Sequence, residues 1–185
     1  MDGQMEKRLI VFASQYVRQY GIHAMRMDTI ARSMNVSKRT LYKVYGSKDN
    51  FMQACLDSYT DRVMNLFRLL RMEAPEPQRY LWALTKAFID NFYRAEPVFW
   101  REVTECHPHI HETIKKLWTE ELAEAIEECK RKRWVIMELD SQRYASSLYA
   151  MFYHGRMAGS APQAVSHSAY FMWRGIMTIE GILRL

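Results

Sequence analysis

The run Met27-Asp-Thr-Ile-Ala-Arg-Ser-Met-Asn-Val-Ser-Lys-Arg-Thr-Leu-Tyr-Lys-Val-Tyr-Gly-Ser-Lys48 leaves the chain that carries it little freedom. Met27, Ile30, Ala31 and Met34 recur at helical spacing, and Asn35 tolerates the left-handed turn that ends such a helix. Ser37 stands where a second helix needs its N-cap, so that helix starts at Lys38. Leu41 and Tyr45 then face inward, which turns Lys38, Arg39, Thr40, Tyr42 and Lys43 outward. Two short helices joined by a tight turn, the second rich in cations, suit the major groove of duplex DNA.

Charge supports that reading. Residues 1–50 carry nine Lys and Arg against four Asp and Glu, a surplus of +5 that accounts for the whole net charge; the seventeen basic and seventeen acidic residues beyond cancel. A polyanion is therefore met by the N-terminal segment alone. With 185 residues, 49% of them hydrophobic, the chain buries a core without disulfides. Its cysteines, Cys55, Cys106 and Cys129, are odd in number and widely spaced, as expected of reduced thiols in a cytoplasmic protein. The N-terminus lacks the features of a signal peptide, and the longest uncharged run, between Arg156 and Arg174, is broken by Pro162 and polar residues, so no membrane span is expected.

Every periodic segment has the helical period, and the expected fold is all-α. Met5, Leu9, Phe12, Ala13, Tyr16, Val17 and Tyr20 form the stripe of a first helix ended by Gly21. Ser47 caps a long helix from Lys48 to about Arg71, followed by helices at about 78–94, 97–105 and 108–131. Residues 133–140 read as an extended connection, with Ser141 capping the next helix to about Gly159. A last helix is expected from Gln163 to Leu185. The final two helices are apolar on more than one side, which calls for a second copy of the chain as cover. Leu148, Gly155, Gly159, Trp173, Ile176, Ile179 and Leu183 are the candidate dimer residues.

The first fifty or so residues resemble the DNA-binding domain of the TetR family of bacterial transcription regulators. The resemblance is carried in register by the amphipathic first helix with Gly21, by Ile30-Ala31, Val36-Ser37 and Thr40-Leu41-Tyr42, by the aromatic Tyr45, and by Ser47-Lys48. Asn35 and Arg39 stand where glycine is frequent in that family, and Arg26 replaces the usual Thr or Ser cap. The resemblance implies that Thr40, Tyr42 and Lys43 approach bases and phosphates and that Lys48 holds a phosphate. Lys38, Arg39 and Arg26 join them as candidate DNA contacts; Arg39 either bonds guanine bidentately and reads a base or lies along the backbone and adds only charge.

The same resemblance implies a three-helix DNA-binding domain over 1–47 and a helical effector-binding and dimerisation domain over 48–185. It also implies a homodimer on a palindromic operator and an effector cavity among the central helices. Candidate lining residues are Phe88, Asn91, Phe92, Phe99, Trp100, Glu105, Trp118, Tyr149 and Phe152, which suit a small hydrophobic effector. The expected function is a repressor released by that effector.

Two other readings compete. Cys106-His-Pro-His-Ile-His111 has metal-ligand chemistry and would make a metal-responsive regulator, but a helix starting at Pro108 turns His109 and His111 to different faces. A small helical lipid-binding or enzyme-like protein leaves the basic helix-turn-helix unexplained. The sequence has no Gly-rich phosphate loop, HExxH or GxSxG, so no catalysis, cofactor or resident metal is expected.

Overall fold

The computed structural model describes residues 3–183, which among them form ten helices and no β-sheet. These are α1 (Gly3–Tyr20), α2 (Met27–Ser33), α3 (Lys38–Tyr45), α4 (Lys48–Glu73), α5 (Pro77–Tyr93), α6 (Pro97–Cys106), α7 (Pro108–Arg131), α8 (Ser141–Met157), α9 (Pro162–Ile176) and α10 (Ile179–Ile182). By packing they divide into two compact units. One takes the chain as far as Met64 together with Ala95–His111; the other takes Asn65–Arg94 and everything from Glu112 on.

In the N-terminal unit, α1 buries Leu9, Ala13 and Val17 and ends at Gly21, whose φ of +86° stops the helix as its sequence predicts. Tyr20, expected on the buried stripe, is 51% exposed and instead lies tilted against Tyr16, ring centroids 4.8 Å apart. Tyr45 and Phe51 pack at 4.6 Å and seat α3 against the start of α4, where Ser47 accepts a hydrogen bond from the Asn50 amide as its N-cap. Helix α6 docks along α1: the Glu96 amide donates to the Arg18 carbonyl at 2.8 Å.

The core of the C-terminal unit is aromatic. Phe88 lies parallel to Trp118 with centroids 4.5 Å apart, meets Phe152 edge-on at 5.3 Å, and adjoins Phe92, which meets Tyr149 at 5.2 Å. At its periphery Arg71 donates to Glu121 and Glu128 while its guanidinium lies 4.3 Å from the Tyr80 ring centroid, so α4, α5 and α7 share one charged cluster.

Two local expectations are corrected here. The cap of α8 is Asp140, whose carboxylate accepts from the Arg143 amide at 2.9 Å; Ser141 is the first helical residue and donates its hydroxyl to Glu127. The final helix does not run unbroken from Gln163. It stops at Ile176, Met177 turns extended (ψ 142°) and pairs with Val135, and Thr178 caps the short α10 by accepting from the Gly181 amide. Backbone bonds from Ile136 to Ile176 and from Thr178 to Trp134 hold this junction, replacing helical bonds with bonds between segments distant in sequence. The helix expected to reach Leu185 thus ends early, and Arg184 and Leu185 lie outside the described residues.

Candidate nucleic-acid interface

The turn between α2 and α3 forms as its residues dictate. Asn35 takes φ +52°, the Val36 amide closes back on the Ala31 carbonyl at 2.9 Å, and the Ser37 hydroxyl accepts from the Thr40 amide at 3.0 Å. Leu41 is fully buried and Tyr45 nearly so, which fixes the rotation of α3 and puts Lys38, Arg39, Tyr42 and Lys43 on its exposed side. Val44 of the same helix is 39% exposed and was not among the sequence candidates.

The cations are not equivalent. Lys38 Nζ lies 2.9 Å from Oδ1 of Asp28 on α2 and 6.0 Å from the Tyr42 ring centroid. The hydrogen bond that Lys38 donates to Asp28, reinforced by the carboxylate's charge, raises the Lys38 pKa. Arg39 and Lys43 carry no ion pair among the described residues. Lys48 donates to the Ile22 carbonyl at 3.4 Å from the first turn of α4, a neutral partner that leaves its charge intact. The Thr40 hydroxyl lies 2.7 Å from that of Ser37, inside the cap rather than reaching outward. Arg26 occupies the N-cap position of α2 in extended conformation, exposed and without a side-chain cap bond.

A second constellation holds the corner between α1 and α2. Glu102 of α6 accepts from the His23 amide at 2.9 Å and pairs with His23 Nδ1 at 3.1 Å, pressed so close to Gly21 that a Cβ there would stand 2.6 Å from Oε2. Burial pushes the Glu102 pKa up, but the His23 amide and imidazole and the Ile22 amide outweigh it and hold the carboxyl below its ordinary value. No local sequence signal marks this pairing across 79 positions.

The candidate effector residues fall in both units. Phe88, Phe92, Trp118, Tyr149 and Phe152 make the ring cluster of the C-terminal unit, with Asn91 half-buried on α5. Phe99 and Trp100 are buried on α6 in the N-terminal unit, and Glu105 is exposed there. Among the candidate dimer residues, Leu148, Trp173 and Ile176 are buried within the single chain, Trp173 donating to Thr85 at 3.1 Å. Gly155 serves the chain's own helices too, since a Cβ there would stand 2.7 Å from Val165 on α9. Ile179 and Leu183 are about four-fifths exposed, as is most of Phe171, and Gly159 is the positive-φ residue ending α8.

Of the possible metal ligands, Cys106 is exposed at the end of α6, and the His107 and His109 rings stand 6.2 Å apart nearly at right angles. Among the described residues no group of three or more His, Cys, Asp or Glu could hold a metal ion, and no helix is long and apolar enough to cross a membrane.

Residues 9–55 match the family described as bacterial regulatory proteins, tetR family. No curated protein matches the chain. Among solved structures the fold is similar to that of E. coli NemR in its reduced form, with 17% identity over 94% of this chain and 97% of that one and a TM-score of 0.77. It is similar to a TetR transcription regulator from Haloarcula marismortui at 14% identity, covering 96% and 100% of the two chains with a TM-score of 0.75. The ketosteroid transcriptional regulator KstR2 of Mycobacterium tuberculosis aligns at 15% identity, covering 93% and 94%, with a TM-score of 0.60. The match to the tetR family thus covers the helix-turn-helix and its flanking helices, and the whole chain has the fold of these transcription regulators.

Proposed function

We propose that the protein is a cytoplasmic homodimeric repressor that binds a palindromic operator and leaves it when a small, mostly apolar organic molecule occupies the helical region beyond residue 47. The observation that carries this reading is the exposed side of α3, with Arg39, Tyr42 and Lys43 turned to solvent by the burial of Leu41 and Tyr45. Lys48 adds a phosphate contact, Arg26 lies beside the start of α2, and Thr40 fixes the cap from which the reading residues project. Two copies are needed to present two such helices to successive major grooves, about 34–36 Å apart.

The remaining open faces of α8 and α9 supply the dimer contact in this proposal. Along α8 the exposed positions include Ser147 and Ala150, with Ala158 just past its end; along α9 they include Ala164, Ser168 and Gly175, with Phe171 projecting between. Small residues let two helix pairs approach closely, and Phe171 is the anchor. The Phe88–Trp118 cluster favours a flat or hydrophobic effector, and KstR2, which shares this fold, is a ketosteroid transcriptional regulator. Helix α4 has residues in both packing units, so an effector that shifts its far end changes the spacing of the recognition helices.

Selection of bound fragments from random DNA tests the reading directly. An enriched inverted repeat is expected, with Lys48→Ala weakening binding to all duplexes and lowering the salt slope by about one. Phe171→Asp is expected to give monomers by light scattering. A wild-type protein that enriches no sequence, or whose binding ignores Lys48 and salt alike, overturns it.

A further inference from the structure

Lys38 opens the recognition helix, yet its charge is already answered from within the chain. Its Nζ lies 2.9 Å from Oδ1 of Asp28 and the Tyr42 ring flanks it at 6.0 Å. Asp28 stands in the first turn of α2, where the helix dipole favours a carboxylate, and Arg32 folds back to donate to its carbonyl at 3.4 Å. The side chains of Lys38 and Asp28 are 55% and 51% exposed, so a DNA phosphate reaches the same ammonium from solvent. A carboxylate oxygen at this distance has the charge and the geometry of a phosphate oxygen. An ion pair this exposed is weak, and it competes with a single phosphate contact for the ammonium.

We propose that Asp28 competes with the DNA backbone for Lys38, so that the interface engages sequence-independent DNA with one cation fewer than its surface displays. The inference rests on the reading of α3 as the DNA-facing helix. Among the described residues, Arg39 and Lys43 on the same helix, and Lys48 on its neutral carbonyl, have no such competitor. Asp28 thereby sets how strongly the protein holds DNA other than its operator. That affinity decides how much of the protein is left to find the operator among the far more numerous wrong sites.

Four proteins test this on a random-sequence duplex by fluorescence anisotropy over a salt series: wild type, Asp28→Asn, Lys38→Gln and the double variant. Asp28→Asn is expected to steepen the slope of log K against log salt by about 0.9, one phosphate's worth, and to tighten binding up to about five-fold. Lys38→Gln alone leaves the slope unchanged, and in the Asp28→Asn background it abolishes the gain. If the gain survives in the double variant, loss of a negative charge alone explains it and the competition is refuted. A slope that falls by about 0.9 for Lys38→Gln in the wild-type background refutes it too, because Lys38 is then already on a phosphate. Should Asp28→Asn lower the melting temperature, Asp28→Ser, which keeps a good N-terminal residue in α2, replaces it with the same expected outcome. A wild-type protein that binds no duplex at low salt instead overturns the DNA-facing assignment itself, a result distinct from normal binding that ignores Asp28.

Discussion

Gly21→Ala tests the corner that joins α1 to α2. At φ +86° an alanine costs about 1–2 kcal/mol of backbone strain. Its Cβ would stand 2.6 Å from Oε2 of Glu102 and 2.9 Å from Oε1 and Cδ, so something must give way. What gives is the carboxylate, the far end of a flexible side chain, and in leaving it forfeits charge-assisted bonds to the His23 amide and imidazole worth about 1.5–3 kcal/mol. The two losses together, about 2.5–5 kcal/mol, are a large part of the total for a typical domain, about 5–15 kcal/mol. Urea unfolding of the four members of a Gly21→Ala, Glu102→Ala cycle measures the partition. Without the carboxylate, Gly21→Ala should cost only the strain, leaving a coupling energy of about 1.5–3 kcal/mol.

The same cycle has a pH signature. The Glu102 carboxyl is held below its ordinary value of 4.5, so its contribution is complete above that pH and disappears as pH falls through the lower native value. The coupling should therefore persist at neutral pH and shrink in acid. Additive costs within about 0.5 kcal/mol at neutral pH refute the argument, since they mean that Gly21 and Glu102 do not meet.

Burial pushes the Cys55 thiol up to about 11 and the Cys129 thiol up to about 12, whereas Cys106 is exposed; one fast thiol per native chain is expected with a disulfide reagent at pH 8, and three after denaturation. Asp140→Ala removes the cap of α8 and should cost about 0.5–2 kcal/mol in a denaturant titration. Gly155→Ala drives a methyl into Val165 and should cost about 1–3 kcal/mol, part of which Val165→Ala restores in the double variant.

The helix-turn-helix is legible in the sequence because each of its decisions is local. Asn35 supplies its own positive φ, Ser37 caps the helix that follows it, and Leu41 with Tyr45 sets the face, all within eleven residues. Pairings across helices left no such trace. Asp28 reads as an ordinary first-turn acid until α3 folds back beside it, and nothing near Glu102 announces Gly21. The break of the last helix is intermediate. Thr178 and Gly181 have capping chemistry, but the apolar residues around them continue a helical pattern, and only the pairing of Met177 with Val135 decides against it. Of the apolar residues on α8 and α9, Leu148, Trp173 and Ile176 pack into the chain's own core, Trp173 donating to Thr85 of α5, a division that periodicity alone does not make.

Helix α6 packs with the N-terminal helices although thirty residues that pack elsewhere precede it in the chain. The DNA-reading unit is therefore not a cassette. A gene fragment cut after Met64 would encode α1 without the carboxylate that closes its corner and without the amide of Glu96 that binds the Arg18 carbonyl. Joining that fragment to the remainder of a distant relative would leave the corner dependent on whatever residue the relative has in place of Glu102. Recombination within such regulators is then productive chiefly where both parents keep an acid at that place on α6, or where the corner has been rebuilt to do without one.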